Sequence, residues 1–512
     1  MIDLKEVLNG SEKVNLEVKI AQSGLPNSIW ETYSSFANTF GGTIILGIGE
    51  DQATKKLIPY GVSEPKKIVS DIWNVLNNRL KISSNILLEH QVYILHYEGL
   101  EYVVIEVPKA DRHDKPVYVG SDMFSGSFKR NYEGDYHCSK EEVKAMLRDQ
   151  SDTSADFLVL EKVGLDALND ESVKNYRLRF NNLRKNHVWT NLPTEDFLVK
   201  IGAARISEMD GKVHPTLGGL IFFGNFVNIM YELPSFFLDY RARLSNENRW
   251  SDRVCSGDSD WSGNVFDFYF RIIDRLTADV RRPFMLDENL VRVDDTSVHK
   301  ALRECLANSL IHADYYGRRG VVIDKTFNRI TISNPGTFRV DIDAAISGGL
   351  SDARNSAIFN MFSLINVGER SGTGLCDVYN TWNLNGYKKP EFVETVNPDR
   401  ITLTLYFENE GNQASNEGNQ ASNEGNQASN EGNQASNEGN EASNEGNQNL
   451  DLRPLEEKIY SLIKQDNSLS LKLIAEKLDV SHSTIERATR KLKDLGYISR
   501  AGKTKGFWII RK

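Results

Sequence analysis

Glu304, Asn308 and His312 recur every four residues in the segment Ala301-Leu-Arg-Glu-Cys-Leu-Ala-Asn-Ser-Leu-Ile-His-Ala-Asp314. On an α-helix each four-residue step drifts by about 40°, so the three side chains share one polar stripe. Leu302, Leu306 and Leu310 then lie on another side and face a core. A carboxylate beside an amide on one stripe suits a water-activating base next to a ligand for Mg²⁺. An ordinary exposed polar face would show the same spacing, so the flanking segments decide. Arg329-Ile-Thr-Ile-Ser reads as a strand running into the turn Asn334-Pro335-Gly336, at the end of an edge strand. Asn366-Val-Gly-Glu-Arg-Ser-Gly372-Thr373-Gly374-Leu places closely spaced glycines at the start of a helix. Backbone N–H groups at such a start can cradle phosphates.

A second set of acids lies near the N-terminus. Glu12 and Glu17 are five positions apart, and Glu50 and Asp51 follow the apolar run Gly41-Gly-Thr-Ile-Ile-Leu-Gly-Ile-Gly49. Glu12, Glu17 and Asp51, if they converge, could hold a divalent metal for phosphodiester hydrolysis. The alternative is that Glu12 is a surface residue and Glu17 forms a cross-strand ion pair with Lys19.

The third constellation is basic. Residues 481–512 hold nine Lys/Arg against two acidic residues, in a chain whose formal net charge is −10. A helix from about Ser481 to Leu495 buries Ile485, Ala488, Leu492 and Leu495 and leaves Ser483, Thr484, Arg487 and Arg490 on its polar side. Those types suit base edges and phosphates in a major groove, and Lys503 and Lys505 in the following hairpin suit phosphates. A solvated face on a dimerisation module is the alternative. Gly496 to Thr504 mimics a P-loop, but five residues separate its glycines and the context is a hairpin, so it is no Walker A motif.

The elements that must position these groups follow from composition. With 512 residues the chain is too long for one core, and two to four domains are expected. Four scattered cysteines form neither a disulfide framework nor a zinc motif, which fits a reducing, cytoplasmic setting. Lys, Glu and Asn through the first thirty residues leave no secretory apolar core, and the apolar stretch 216–231 is too short to span a bilayer. From Asn409 the heptad Asn-Glu-Gly-Asn-Gln-Ala-Ser recurs in six copies, the last two imperfect. Only Ala is apolar in each unit, so no coiled-coil seam exists, and residues 409–449 read as a disordered linker spanning about 35 Å on average. Boundaries are placed at 1–150, a helical connector at 151–213, 214–408, the linker, and 450–512.

Three resemblances then give an α+β multidomain fold class. Residues 1–150, with Glu17-Val-Lys19, Ala37-Asn-Thr-Phe-Gly-Gly-Thr43, Leu46-Gly-Ile-Gly49, Lys115-Pro-Val-Tyr118 and Ser127-Phe-Lys-Arg130, resemble the Schlafen-type, Alba-like α/β domain. That resemblance implies nucleic-acid binding, and its nuclease members use three acids in the places of Glu12, Glu17 and Asp51. The ordered set of Glu304-x₃-Asn308, Asn334-Pro-Gly336 and Gly372-x-Gly374 resembles the GHKL-type ATP-binding α/β sandwich, in the branch attached to RecG-related DNA-binding proteins. Arg303-Glu304, His312-Ala-Asp314, Arg354-Asn355, Glu369-Arg370 and Pro215-Thr-Leu-Gly-Gly-Leu-Ile-Phe-Phe-Gly224 add to the match.

By that resemblance Glu304 is the general base, Asn308 holds Mg²⁺ through ATP, and Gly372–Gly374 forms the triphosphate lid. His312, Asn334, Gly336 and Thr373 complete the nucleotide site. Asn334 departs from the Asp that the broader family uses against the adenine amino group, and hydrolysis is slow or absent. The last 58 residues resemble the winged helix-turn-helix family. Together they imply an ATP-responsive, DNA-binding homodimer acting as a transcriptional regulator. The alternative is a metal-dependent Schlafen-like nuclease for RNA or DNA in stress or phage defence, gated by ATP. Helicase activity is excluded by the missing Walker A motif.

Overall fold

The computed structural model describes residues 3–9, 14–51, 53–54, 56–243, 250–278, 280, 296–368, 373–407, 454–465, 471–478, 480, 482–494, 497–501 and 507–510. The heptad repeat, Glu12, Gly372, Lys503 and Lys505 lie outside the described residues. The fold is α+β, in two compact units, Met1–Glu417 and Gly418–Lys512.

The first unit begins with a four-stranded sheet. Strand β1 (Leu16–Lys19) pairs parallel with β2 (Gly42–Leu46), and β3 (Val92–Tyr97) and β4 (Leu100–Val107) complete the order β1-β2-β4-β3. Strand β2 is apolar on both faces because both are covered. Ile44 and Leu46 meet helix α1 (Ile29–Asn38), while Ile45 joins a smaller core with Ile48 and Leu57. Helix α1 buries Ile29, Tyr33, Phe36 and Ala37, but Phe40 is 42% exposed and does not extend that face. The helix has ended by then: the Gly41 N–H closes onto the Phe36 carbonyl with Gly41 at φ +74°, so helical spacing no longer governs residue 40.

The Ala-Asn-Thr motif at the end of α1 is a dock. Buried Asn38 donates to the carbonyls of Val117 and Phe128 and accepts from the Val117 N–H, and Thr39 Oγ1 accepts from the Arg130 N–H. These bonds fix β5 (Phe128–Asn131), which pairs with β6 (Gly134–His137) and leads to helix α2 (Lys140–Gln150). A capping box between Ser139 and Glu142 starts that helix.

The rest of the unit shares one large core. Helices α3 (Asp170–Leu183) and α4 (Thr194–Ile201) contribute Tyr176, Phe180 and Phe197 to it, so the segment read as a connector is packed structure. They meet α5 (Leu217–Phe223), α6 (Val265–Thr277) and a six-stranded sheet. Its strands are β7 (Leu238–Arg243), β8 (Asp252–Cys255), β9 (Val321–Thr326), β10 (Arg329–Pro335), β11 (Glu391–Thr395) and β12 (Arg400–Tyr406), in the order β8-β7-β9-β10-β12-β11. Burial alternates along β9, β10 and β12, so one face carries the core. Against it pack α7 (Ser297–Ile311), α8 (Ser356–Leu364) and α9 (Gly374–Leu384). Strand β10 is interior, contrary to the edge position expected, because β12 returns some seventy residues later to pair along its whole length.

The second unit is three helices and a hairpin: α10 (Pro454–Gln465), α11 (Leu471–Leu478), α12 (His482–Asp494), then β13 (Ile498–Ala501) antiparallel to β14 (Phe507–Ile510). Ile459, Ile463, Ile474, Ile485, Leu492 and Trp508 form its core. Among the described residues no helix is long and apolar enough to cross a membrane.

Candidate functional site

Helix α7 begins at Thr296, whose hydroxyl accepts from the His299 N–H, and buries Leu302, Leu306 and Leu310 completely. That burial fixes the rotation of the helix and turns the opposite stripe into a cavity. The Asn308 amide donates to Glu304 Oε1 at 3.1 Å, so the two side chains stand together. His312 sits at the C-cap. Its turn is held by Asn355, whose Nδ2 donates to the carbonyls of Ile311 (2.9 Å) and Ala313 (2.7 Å). Burial, and then the guanidiniums of Arg354 and Arg339, push the His312 imidazole down to about 4, so it is neutral at pH 7.

Glu304, Asn308, His312, Asn334 and Gly374 line one cavity, together with Thr337, Phe338, Arg339, Asp352 and Arg354. Asn334 is buried near the end of β10, and its Nδ2 leans on the Pro335 carbonyl at 3.4 Å. Gly374 opens α9 with Thr373 as its N-cap residue. A Cβ at Gly374 would overlap the Glu304 carboxylate, which would have to swing aside. Gly336 lies outside this cavity's lining. It has φ +106°, and a Cβ there would occupy the place of the Arg354 guanidinium.

Arg339 and Arg354 were not singled out from sequence as site residues. Arg354-Asn355 was visible only as a short match, and nothing in the spacing shows that the two arginines face α7. Both are 8% exposed at the side chain.

The N-terminal acids are arranged differently. Glu17 bonds Lys19 at 2.7 Å along the same strand, not across strands, and Arg130 Nη2 at 2.8 Å. Arg130 is 2% exposed and also meets Asp135 at 3.0 Å. Asp51 Oδ1 accepts from the N–H of Ala53 and from the N–H and hydroxyl of Thr54, which hold its carboxyl below the usual range. Among the described residues, the group of His, Cys, Asp and Glu close enough to share an ion is Glu161, Asp210 and His214, without Glu17 or Asp51. In the second unit, Thr484, Arg487 and Arg490 are exposed on α12, whose inner side carries Ile485, Ala488 and Leu492; Ser483 lies in its first turn.

Residues 2–139 match the family model described as Schlafen, AlbA_2, and residues 319–405 match "Putative ATP-dependent DNA helicase recG C-terminal". The chain thus carries one segment similar to the Schlafen, AlbA_2 model and another similar to the recG C-terminal model. Residues 144–239 match a domain of unknown function, DUF8451, and 405–501 match Replication protein A C terminal. Among solved structures, the DIP2311 protein of Corynebacterium diphtheriae aligns over 97% of this chain and 92% of its own, at 14% identity and TM-score 0.39. The N-terminal domain of a RecG-related protein from Nitrosomonas europaea aligns over 26% of this chain and 90% of its own, at 25% identity and TM-score 0.22. No curated protein matches the chain.

Proposed function

We propose that this protein binds Mg·ATP and DNA, and acts as a nucleotide-responsive transcriptional regulator. One observation carries the nucleotide half: Glu304, Asn308, His312, Asn334 and Gly374, drawn from a helix, a strand end and a glycine-rich helix start, line one cavity. The donor set fits the ligand. With its amide nitrogen on Glu304, Asn308 keeps its carbonyl oxygen for a hard cation, beside a carboxylate. Asn334, with its nitrogen on Pro335, keeps an acceptor for an exocyclic amine. Glu304 is placed to take a proton from water, and Gly374 brings the first backbone N–H groups of α9 close to it. Mg²⁺ would supply charge neutralisation at the phosphates.

The DNA half rests on exposed Arg487 and Arg490 on α12, with Ser483 and Thr484 in the same helix, and on the match to Replication protein A C terminal. We read the hairpin β13–β14 as the wing of a winged helix, its lysines Lys503 and Lys505 meeting phosphates, and the protein as a cytoplasmic homodimer.

Calorimetry of the full chain with Mg·ATP tests the site. Wild type binds, and Asn308→Ala loses at least tenfold in affinity with its fold intact. Equal affinity in the two proteins would remove the assignment.

A further inference from the structure

Two arginines form a wall of the proposed nucleotide cavity, and Asp149, at the end of α2, reaches both. Arg354 Nη2 donates to Asp149 Oδ2 at 2.9 Å and to the Thr337 carbonyl at 2.9 Å. Arg339 donates to the Ala353 carbonyl at 3.2 Å and the Asp149 carbonyl at 3.4 Å. Asp149 stands at the end of α2, far in sequence from both arginines. Asp352, on the cavity wall, is shared between Arg339 (3.4 Å) and Arg112 (2.6 Å), the latter from the N-terminal segment. Arg112 also donates to the carbonyls of Asp149 and Ser151.

The existing partners leave part of each guanidinium poorly engaged. Arg354 Nε is buried without a hydrogen-bond partner, and Arg339 Nε meets only the Asp352 carboxylate, at 3.4 Å and without hydrogen-bond geometry. Each unmet buried donor is a standing cost that a better acceptor would relieve. Arginine forks suit phosphate oxygens, which carry more charge than a carboxylate and can engage two donors at once. A triphosphate placed in this cavity would also face the carboxylate of Asp352 in a partly desolvated space, where like charges repel strongly.

We propose that Arg339 and Arg354 take the phosphates of the bound nucleotide, and that Asp149 and Asp352 are the competitors phosphate must displace. The idea rests on the nucleotide reading of the same cavity and adds a consequence to it. With the cavity empty, α2 is tied to the cavity wall through Asp149. With nucleotide bound, the arginines turn to phosphate and that tie is released, so occupancy is transmitted to the N-terminal segment through two side chains.

The test uses the full chain, Mg²⁺, and two ligands that share a base: adenosine and a non-hydrolysable ATP analogue. Hydrogen exchange of the backbone of α2 is read at saturation with each. Faster exchange with the triphosphate and an unchanged rate with adenosine is the expected result, because only the triphosphate supplies the competing anion. Asp149→Asn should bind the triphosphate three- to tenfold more tightly while leaving adenosine unchanged, and Arg354→Gln should lose triphosphate affinity selectively. If the triphosphate binds with loss in Asn308→Ala, yet α2 exchange is unchanged, the coupling is overturned and the nucleotide site stands. If neither ligand binds wild type, the nucleotide reading fails and the coupling falls with it.

Discussion

A side chain on Gly374 would collide with the Glu304 carboxylate. The first residue of α9 is therefore set hard against the acid of α7, although seventy positions separate them in the chain. Replacing Gly374 by Ala would make the Glu304 carboxylate, the far end of a flexible side chain, swing away from its place in the cavity. Because that side-chain end lines a cavity and can move, the cost to stability is small. The fold should persist, seen as an unchanged circular dichroism spectrum. Affinity for Mg·ATP, by calorimetry, should fall at least tenfold. Undiminished affinity would detach the glycine segment from the site.

His312 gives the cavity a pH signature. Its folded-state pKa is pushed down to about 4 by burial and by Arg354 and Arg339, below the ordinary value of 6.5. Between those limits the unfolded chain binds the proton and the folded chain does not, so stability falls as pH drops through the window. Above pH 6.5 the group contributes no slope. Urea midpoints at pH 7.5 and pH 5 should therefore differ more in wild type than in His312→Gln, which cannot titrate. Equal differences in the two proteins would mean that His312 protonates as freely in the folded state as in the unfolded one.

Glu17 demands a careful substitution. Because it partners Arg130, which is 2% exposed, Glu17→Ala leaves a buried guanidinium short of a carboxylate. Such a break costs up to about 3–5 kcal/mol, less here because Asp135 remains. Lost nucleic-acid cleavage in that variant would report unfolding as readily as chemistry. Glu17→Gln keeps the shape and an acceptor oxygen. Wild type incubated with labelled tRNA or duplex DNA and Mg²⁺ or Mn²⁺ should leave both intact. Cleavage that vanishes in Glu17→Gln at an unchanged melting temperature would instead establish the metal-dependent nuclease.

What the sequence made legible was mostly local. The stripe Glu304–Asn308–His312 follows from helical spacing, and buried Leu302, Leu306 and Leu310 fix which way it turns. The interior place of β2 follows from its unbroken apolar run. The failures concern partners distant in the chain. Strand β10 alternates like a half-exposed strand, and only its pairing with β12 makes it interior. Nothing in the spacing of Arg130, Arg339 and Arg354 shows the carboxylates that other segments bring to them. Glu17 carries no mark of its tie to Arg130, because more than a hundred residues intervene. Phe40 stands at helical spacing from Phe36, yet it is exposed because the helix has already ended in a turn at Gly41.

The basic helix α12 makes a prediction that separates DNA binding from a merely charged surface. Arg487 and Arg490 are exposed, and alanine is a strong helix former, so the double substitution to Ala should leave the three-helix unit folded. Each phosphate contact contributes about 0.9 to the slope of log affinity against log salt. If both arginines meet phosphates, that slope falls by about 2, and affinity drops for every duplex alike. Fluorescence anisotropy with unrelated duplexes between about 50 and 200 mM salt reads both quantities. An unchanged slope with weakened binding to one sequence only would assign the arginines to base edges instead. No change in either would leave α12 a solvated face and move DNA recognition elsewhere in the chain.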